Sequence, residues 1–384
     1  MNAAINSSEL KGHCDNRFAR VIDVLEENLS SGDDLGASFA MTLDGEMVVD
    51  LWGGYLDEEK TLPWQEDSIV NVYSTTKTMS FLCALILADR GLLDFDKPVV
   101  DYWPEFAQNG KEEVLVWHIM DHAAGLSGMD EQMTSDDLYD WNKITSLLGA
   151  QAPWWKPGSG TAYHALTQGY LIGELVSRIT GQSIGQFFHQ QVATPLDADF
   201  FIGVPENEFH RIGNMLPAPG NSSANAPGDP DSIAVRTFKS MPLSALDSRT
   251  KAWRMAEIPA ANGHGNARSV AKIHAALACG GEVNGTRLFS EKTAKSVMQE
   301  RISATDMALG IPLRFGLGFG LNPVATPISP NKNVCYWGGW GGSVVIIDQD
   351  ARASMSFVMN KMHGGLVGDA RSARLLAAVY AALA

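Results

Sequence analysis

The chain has 384 residues, 45% hydrophobic and 19% charged, enough for one large or two closely packed domains. Its formal net charge of −15 excludes nucleic acid and anionic membrane as main partners, because either demands a basic surface, and favours a small, neutral or weakly charged ligand. The opening MNAAINSSELKGHCDNRF has no basic stretch leading into an apolar run, and no segment is apolar for the length of a bilayer, so a cytoplasmic location is expected.

In chain order, Arg17 to Leu29 is predicted as an amphipathic helix, with Phe18, Val21, Ile22 and Leu25 at helical spacing and SSGDD closing it. GASFAMTLDGEMVVDLWGG reads as two strands turning tightly at Asp44-Gly45. The far end mirrors it: SVVIIDQDARASMSFVMN is strand, turn and strand, followed by the helix SARLLAAVYAAL. Both ends are therefore expected in one antiparallel sheet with terminal helices packed on it. The middle is mostly helical, clearest at MTSDDLYDWNKITSLLG and LTQGYLIGELVSRIT, and a Pro/Gly/Asn/Ser-rich loop runs from Leu216 to Asp231, either a solvated excursion or a flap over a site.

Two serines compete for the role of nucleophile. Ser183 lies in GQSIG, which matches G-x-S-x-G, but a nucleophile elbow needs a strand before its serine. Here a helical stretch ends at Gly181 and another begins after Ser183, which makes Ser183 a helix N-cap. Ser74 lies in SIVNVYSTTKTMSFLCALILADRG, a strand-like start followed by a helix apolar almost all round. Lys77, three residues on, shares its face. Burial and the positive helix end both disfavour the ammonium form, so a neutral Lys77 amine could take the Ser74 proton. The motif alone reads equally well as a capped helix with Lys77 reaching solvent.

Tyr163 follows a Gly/Pro-rich loop at the expected start of a helix, where its phenol could act as general acid and base; singly, it reads as an ordinary packed tyrosine. In CYWGGWGGSVVII, glycines at a strand edge would let a ligand approach the backbone and receive an N–H bond, or simply form a bulge. The cysteines (Cys14, Cys83, Cys279, Cys335) show no zinc spacing, and Cys83 and Cys279 fall in apolar helical runs expected to bury them. The nine histidines form no ligand-like cluster, so no metal and no cofactor is expected.

Together, and in this order, STTK (Ser74 to Lys77), YHALTQGYLIGELV (from Tyr163) and WGGWGGS (from Trp337) resemble the serine β-lactamase and penicillin-binding-protein superfamily. The resemblance is to its class C-like branch, which includes the family VIII carboxylesterases. It extends to WHIMDHAAGL, IPAANGHGNARSVAKIHAALACGGEVNG and FVMNKM, and covers roughly residues 15 to 383. It implies an α+β, β-lactamase-like fold: a sheet domain from residues 1–94 and 265–384, with an inserted mostly helical domain from 95–264. It implies Ser74 as acyl-forming nucleophile, Lys77 and Tyr163 as general base and acid, and backbone N–H groups of Ser74 and Trp340 as oxyanion hole. Trp337, Gly338, Gly339 and Trp340 would contact substrate.

Two departures bear on that substrate. Tyr163-His164-Ala165 stands where the lactamases have Y-x-N, and Trp337 stands where they have the lysine of K-T-G. The amide and the cation that would hold a β-lactam are missing, and Trp337, Trp340 and Trp154 or Trp155 suggest an apolar pocket for a small, uncharged ester. β-Lactam or D-amino-acid peptide hydrolysis, acyl transfer to a small alcohol, and a non-catalytic sensor are the alternatives. His122, His164 and His264 are not expected to form a Ser-His-Asp triad.

Overall fold

The computed structural model describes residues 2–5, 10–218 and 229–384. Nine antiparallel strands form the main sheet, in the order Leu10–Cys14, Glu46–Gly54, Gly36–Leu43, Ala353–Met359, Val344–Asp348, Val334–Gly338, Phe319–Leu321, Pro312–Gly316 and Ile302–Thr305. The two chain ends meet where Gly36–Leu43 pairs with Ala353–Met359, Phe39 opposite Phe357. The first hairpin turns at Asp44 and Gly45, with φ of 50° and 85°, the left-handed geometry such a turn requires. The terminal helices Ala19–Ser30 and Ala370–Leu383 pack on each other, and helix Ala267–Ala278 lies along the central strands. Every residue of Ala353–Met359 is buried, as expected of a strand covered on both faces.

Between residues 95 and 264 the described elements are mostly helices and turns. A three-stranded sheet of Val70–Asn71, Gly263–Gly265 and Phe200–Ile202 connects this part to the segment bearing Ser74. The helix after Ser74, Thr76–Asp89, is buried from Thr76 through Leu87 and packs against Thr167–Thr180 and Ile184–Phe188.

Three local expectations need correction. The stretch from Met133 is a short 3-10 turn, Asp136–Tyr139, and a separate helix, Trp141–Ala150, because Asp140 takes an extended ψ of 90° and caps the second with a bond from the Lys143 N–H. Tyr163 does not begin a helix: it lies in an irregular segment, and the helix starts at Thr167. Cys279 is only half-buried at the end of its helix, whereas Cys83 is fully buried. Of the loop from Leu216 to Asp231, residues 219–228 lie outside the described residues; Leu216 bridges Lys361, and Ser232 caps helix Ile233–Ser240. Among the described residues no helix is long and apolar enough to cross a membrane.

Candidate active site

Ser74 sits in a 3-10 turn, Tyr73–Thr75, between strand Val70–Asn71 and helix Thr76–Asp89. Tyr73 holds a φ of 45°, uncommon for a bulky residue and costing on the order of 1–3 kcal/mol. Its surroundings impose that shape: Tyr73 is buried, its hydroxyl donates to Ala245 O at 3.2 Å, and Val72 N donates to Gly263 O at 2.9 Å. The kink leaves the Ser74 side chain partly exposed at the base of a cavity of about 640 Å³, counting its mouth.

Lys77 is 1% exposed, and its Nζ lies 3.2 Å from Ser74 Oγ, 2.7 Å from Ala165 O and 3.0 Å from Ala260 O. No carboxylate pairs with it in these contacts, so burial drives its pKa well below the ordinary lysine value. A neutral amine has two N–H donors and one lone pair. The two carbonyls can only accept, so they take the donors and leave the lone pair for the Ser74 hydroxyl.

The Tyr163 ring lies against the same amine, with Lys77 Nζ 4.7 Å from its centroid. Burial raises the phenol's pKa above its ordinary value, and the neighbouring Ser74 hydroxyl and Trp337 indole offset that only in part. Tyr163 is positioned from its backbone: Asp306 Oδ1 accepts from Tyr163 N at 3.0 Å and also from Ala308 N and Leu309 N. Asp306 was not legible as part of the site, since nothing in its local sequence marks a carboxylate reaching back to residue 163.

The loop bearing Trp340 closes the site from the sheet. Gly339 has no room for a side chain: a Cβ there would stand 2.1 Å from Val72 O and 3.1 Å from Ser74 N. This close approach sets the Trp340 segment beside the Ser74 turn. Ser343 stitches the two together, its hydroxyl 2.8 Å from Val72 O and 2.9 Å from Thr75 Oγ1. The backbone N–H groups of Ser74 and Trp340 have no acceptor among the described residues. Behind the loop, buried Arg371 donates to Gly341 O at 2.7 Å and pairs with Asp34 at 2.6 Å and Asp369 at 2.6 Å, joining the loop to the C-terminal helix.

The other expected residues fall elsewhere. Trp337 is fully buried, its ring 5.6 Å from that of Tyr163, and it backs the phenol instead of lining the cavity. Its buried Nε1 has no hydrogen-bond partner among the described residues. Gly338 and Gly339 do not line the cavity either. Trp154 donates to Asp130 at 2.7 Å under the Arg236 guanidinium, and Trp155 donates to Gly160 O at 3.1 Å, so neither indole forms a wall. The walls sequence reasoning missed come chiefly from Ser127, Thr237, Phe238, Met241, Leu243 and Leu366. Four of these lie on or just after helix Ile233–Ser240, whose available signal was the Ser232 cap after the Asp229-Pro230-Asp231 turn.

No histidine is placed to serve Ser74. His164 is fixed by Ala162 O at 2.7 Å on Nδ1 and Leu126 N at 3.2 Å on Nε2, and burial lowers its pKa to about 3. His122 Nδ1 accepts from His164 N at 3.0 Å, and its ring packs edge-on to Tyr163. His264 bonds Asn262 O at 2.8 Å. Ser183 caps its helix, accepting from Gln186 N at 3.3 Å while donating to Glu257 Oε1 at 2.6 Å. No cluster of three or more metal-ligating side chains occurs among the described residues.

The chain is a member of the Beta-lactamase family, whose model matches residues 21–379. It is 34% identical over 380 residues to the esterase/beta-lactamase LipL of Mycobacterium tuberculosis, covering 93% of this chain and 86% of that one. Among solved structures it is similar to a family VIII carboxylesterase (TM-score 0.92, 39% identity, 97% of this chain and 100% of that one). It is also similar to a penicillin-binding protein homologue from Caulobacter crescentus (TM-score 0.91, 36% identity, 98% and 100%).

Proposed function

We propose that the protein is a serine carboxylesterase that cleaves small, short-chain, uncharged carboxylic esters through an acyl-enzyme on Ser74. The observation that carries the assignment is the Ser74 hydroxyl 3.2 Å from a buried lysine amine whose N–H groups are engaged by two carbonyls. Relatives named as esterases support the reaction class.

Lys77 takes the Ser74 proton as Oγ attacks the ester carbon, and the Ser74 and Trp340 N–H groups receive the developing oxyanion. As the tetrahedral species collapses, the Tyr163 phenol protonates the departing alkoxide and is reprotonated from the Lys77 ammonium. Water then repeats the sequence on the acyl-enzyme, leaving acid and free Ser74. Burial lowers the Lys77 pKa and raises that of Tyr163, which favours the uncharged form of each, and the lysine is accordingly read as the base and the phenol as the acid. Ser74 and Lys77 come from the expected sheet domain (1–94, 265–384), Tyr163 from the helical one (95–264) and Trp340 from the sheet domain again. The reaction would therefore run at their seam.

Among the described residues the cavity lining has no charged side chain, which supports a neutral substrate. Arg314 is held by Glu300 at 2.5 Å and Arg268 by Asp50 at 2.5 Å, and neither lines the cavity. A β-lactam carboxylate would be desolvated there without a partner. With the net charge of −15, this supports an enzyme of small-molecule esters, without nucleic acid or anionic membrane as partners. The test compares kcat/KM for p-nitrophenyl esters and for nitrocefin: short-chain esters are expected to be far better substrates, and equal efficiency would overturn the choice.

A further inference from the structure

The cavity above Ser74 is mostly apolar, walled by side chains such as Leu166, Phe238, Met241 and Leu243. Apart from Ser74, Tyr163, the Trp340 indole and the already bonded Tyr73, its polar side chains among the described residues are Ser127 and Thr237. They come from distant parts of the chain, and their hydroxyls lie 2.6 Å apart. One hydrogen bond joins them and uses one of their two protons. The other proton has no acceptor among the described residues.

Thr237 could have spent its hydroxyl locally. A threonine inside a helix commonly donates to the carbonyl four residues back. Thr145 does so to Trp141 O at 2.9 Å, and Thr180 to Val176 O at 2.7 Å. Thr237 instead faces Ser127 across the cavity wall. Ser127 is held equally firmly, because Leu126 N bonds His164 at 3.2 Å, Leu126 O accepts from Thr167 at 2.7 Å and Gly128 O accepts from Gln151 at 3.0 Å. A fixed donor in an apolar cavity costs desolvation unless something entering the cavity bonds it.

We infer that Ser127 and Thr237 form a polar subsite that selects esters carrying a second oxygen, an ether, keto or hydroxyl acceptor, away from the scissile carbonyl. The inference rests on Ser74 being the acyl-forming residue and adds the chemistry of the substrate's remote end. A donor left unpaired by a hydrocarbon is what separates the two kinds of ester.

The experiment compares p-nitrophenyl alkanoates with chain-matched esters in which one methylene of positions 3 to 5 is replaced by an ether oxygen. Acetates of alcohols with and without an ether oxygen probe the other side. The readout is the ratio of kcat/KM for the oxygenated ester over its hydrocarbon match, in wild type, Ser127→Ala, Thr237→Val and the double variant. Taking the ratio of ratios removes the intrinsic effect of oxygen on ester reactivity. At least one pair should show a ratio about tenfold lower in the variants, and Thr237→Ser should restore it. Unchanged ratios for every pair, or a uniform loss for all esters, would overturn the subsite. The single variants keep the test open if the double variant does not fold. Wild type turning over neither kind of ester would instead overturn the esterase reading, and the subsite with it.

Discussion

Ser74 and Ser183 both stand at the start of a helix, yet their hydroxyls are used in opposite ways. Ser183 accepts from its helix and donates to the Glu257 carboxylate, so its bonding capacity is consumed in holding structure. Ser74 caps nothing, because the kink at Tyr73 turns it into the cavity, and its bonded neighbour is an amine whose pKa burial drives well below the ordinary lysine value. A reactive hydroxyl is thus one its helix does not need.

The most damaging way to probe this contrast is to remove each hydroxyl. Ser74→Ala should reduce ester hydrolysis to background while Ser183→Ala keeps most of it, and a fluorophosphonate adduct located by mass spectrometry should fall on Ser74. An adduct on Ser183 would reverse the comparison.

Next in size, Lys77→Ala and Tyr163→Phe should each lower kcat by roughly 10²–10⁴-fold, the usual contribution of an acid or base. Their double variant should lose much less than the product if they act as one unit. Since the Lys77 pKa is depressed, acylation should persist at neutral pH and fall only as acid protonates the amine; a kcat/KM limb near the ordinary lysine value would contradict the neutral amine.

A buried carboxyl elsewhere in the fold also predicts a pH effect on stability. Burial lifts Asp121, next to His122, from 3.8 to about 7 although Gly318 N donates to it at 2.5 Å. The folded state then binds the proton more tightly than the unfolded chain, so this contribution is complete below about pH 4 and lost as pH rises through about 7. Asp121→Asn should flatten that slope, by at most about 4 kcal/mol across the window, as measured by urea unfolding at each pH. An unaltered slope would show that Asp121 ionises normally.

The smallest effect belongs to the structural serine. Ser183→Ala should cost about 1 kcal/mol of stability, the ordinary loss of an N-cap, seen as a lower Tm at nearly unchanged kcat.

The sheet and its terminal helices were legible because the tight turn at Asp44-Gly45 between two strand-like runs and the helical spacing of Phe18, Val21, Ile22 and Leu25 are local signals. Ser74 and Lys77 stood out only in company: their spacing of three residues left the motif open between a site and a capped helix, and the ordered resemblance through Tyr163 and Trp337 made them candidates. Trp337 was not, since every residue of Val334–Gly338 is buried and no alternation tells which face meets the cavity. The cavity walls were hidden too. Ser127 and Thr237 meet across 110 residues, and Asp306 reaches Tyr163 across 143, contacts that only the folded chain makes.

The tie from Arg371 to Gly341, thirty residues apart in sequence, lets the helix Ala370–Leu383 brace the Trp340 loop from behind the cavity. Loosening that brace should disturb the loop while the contact between Ser74 and Lys77 stays as it is. Arg371→Leu should therefore lower kcat for p-nitrophenyl esters without moving the pH limb that Lys77 sets. An unchanged kcat would show that the loop stands without its anchor.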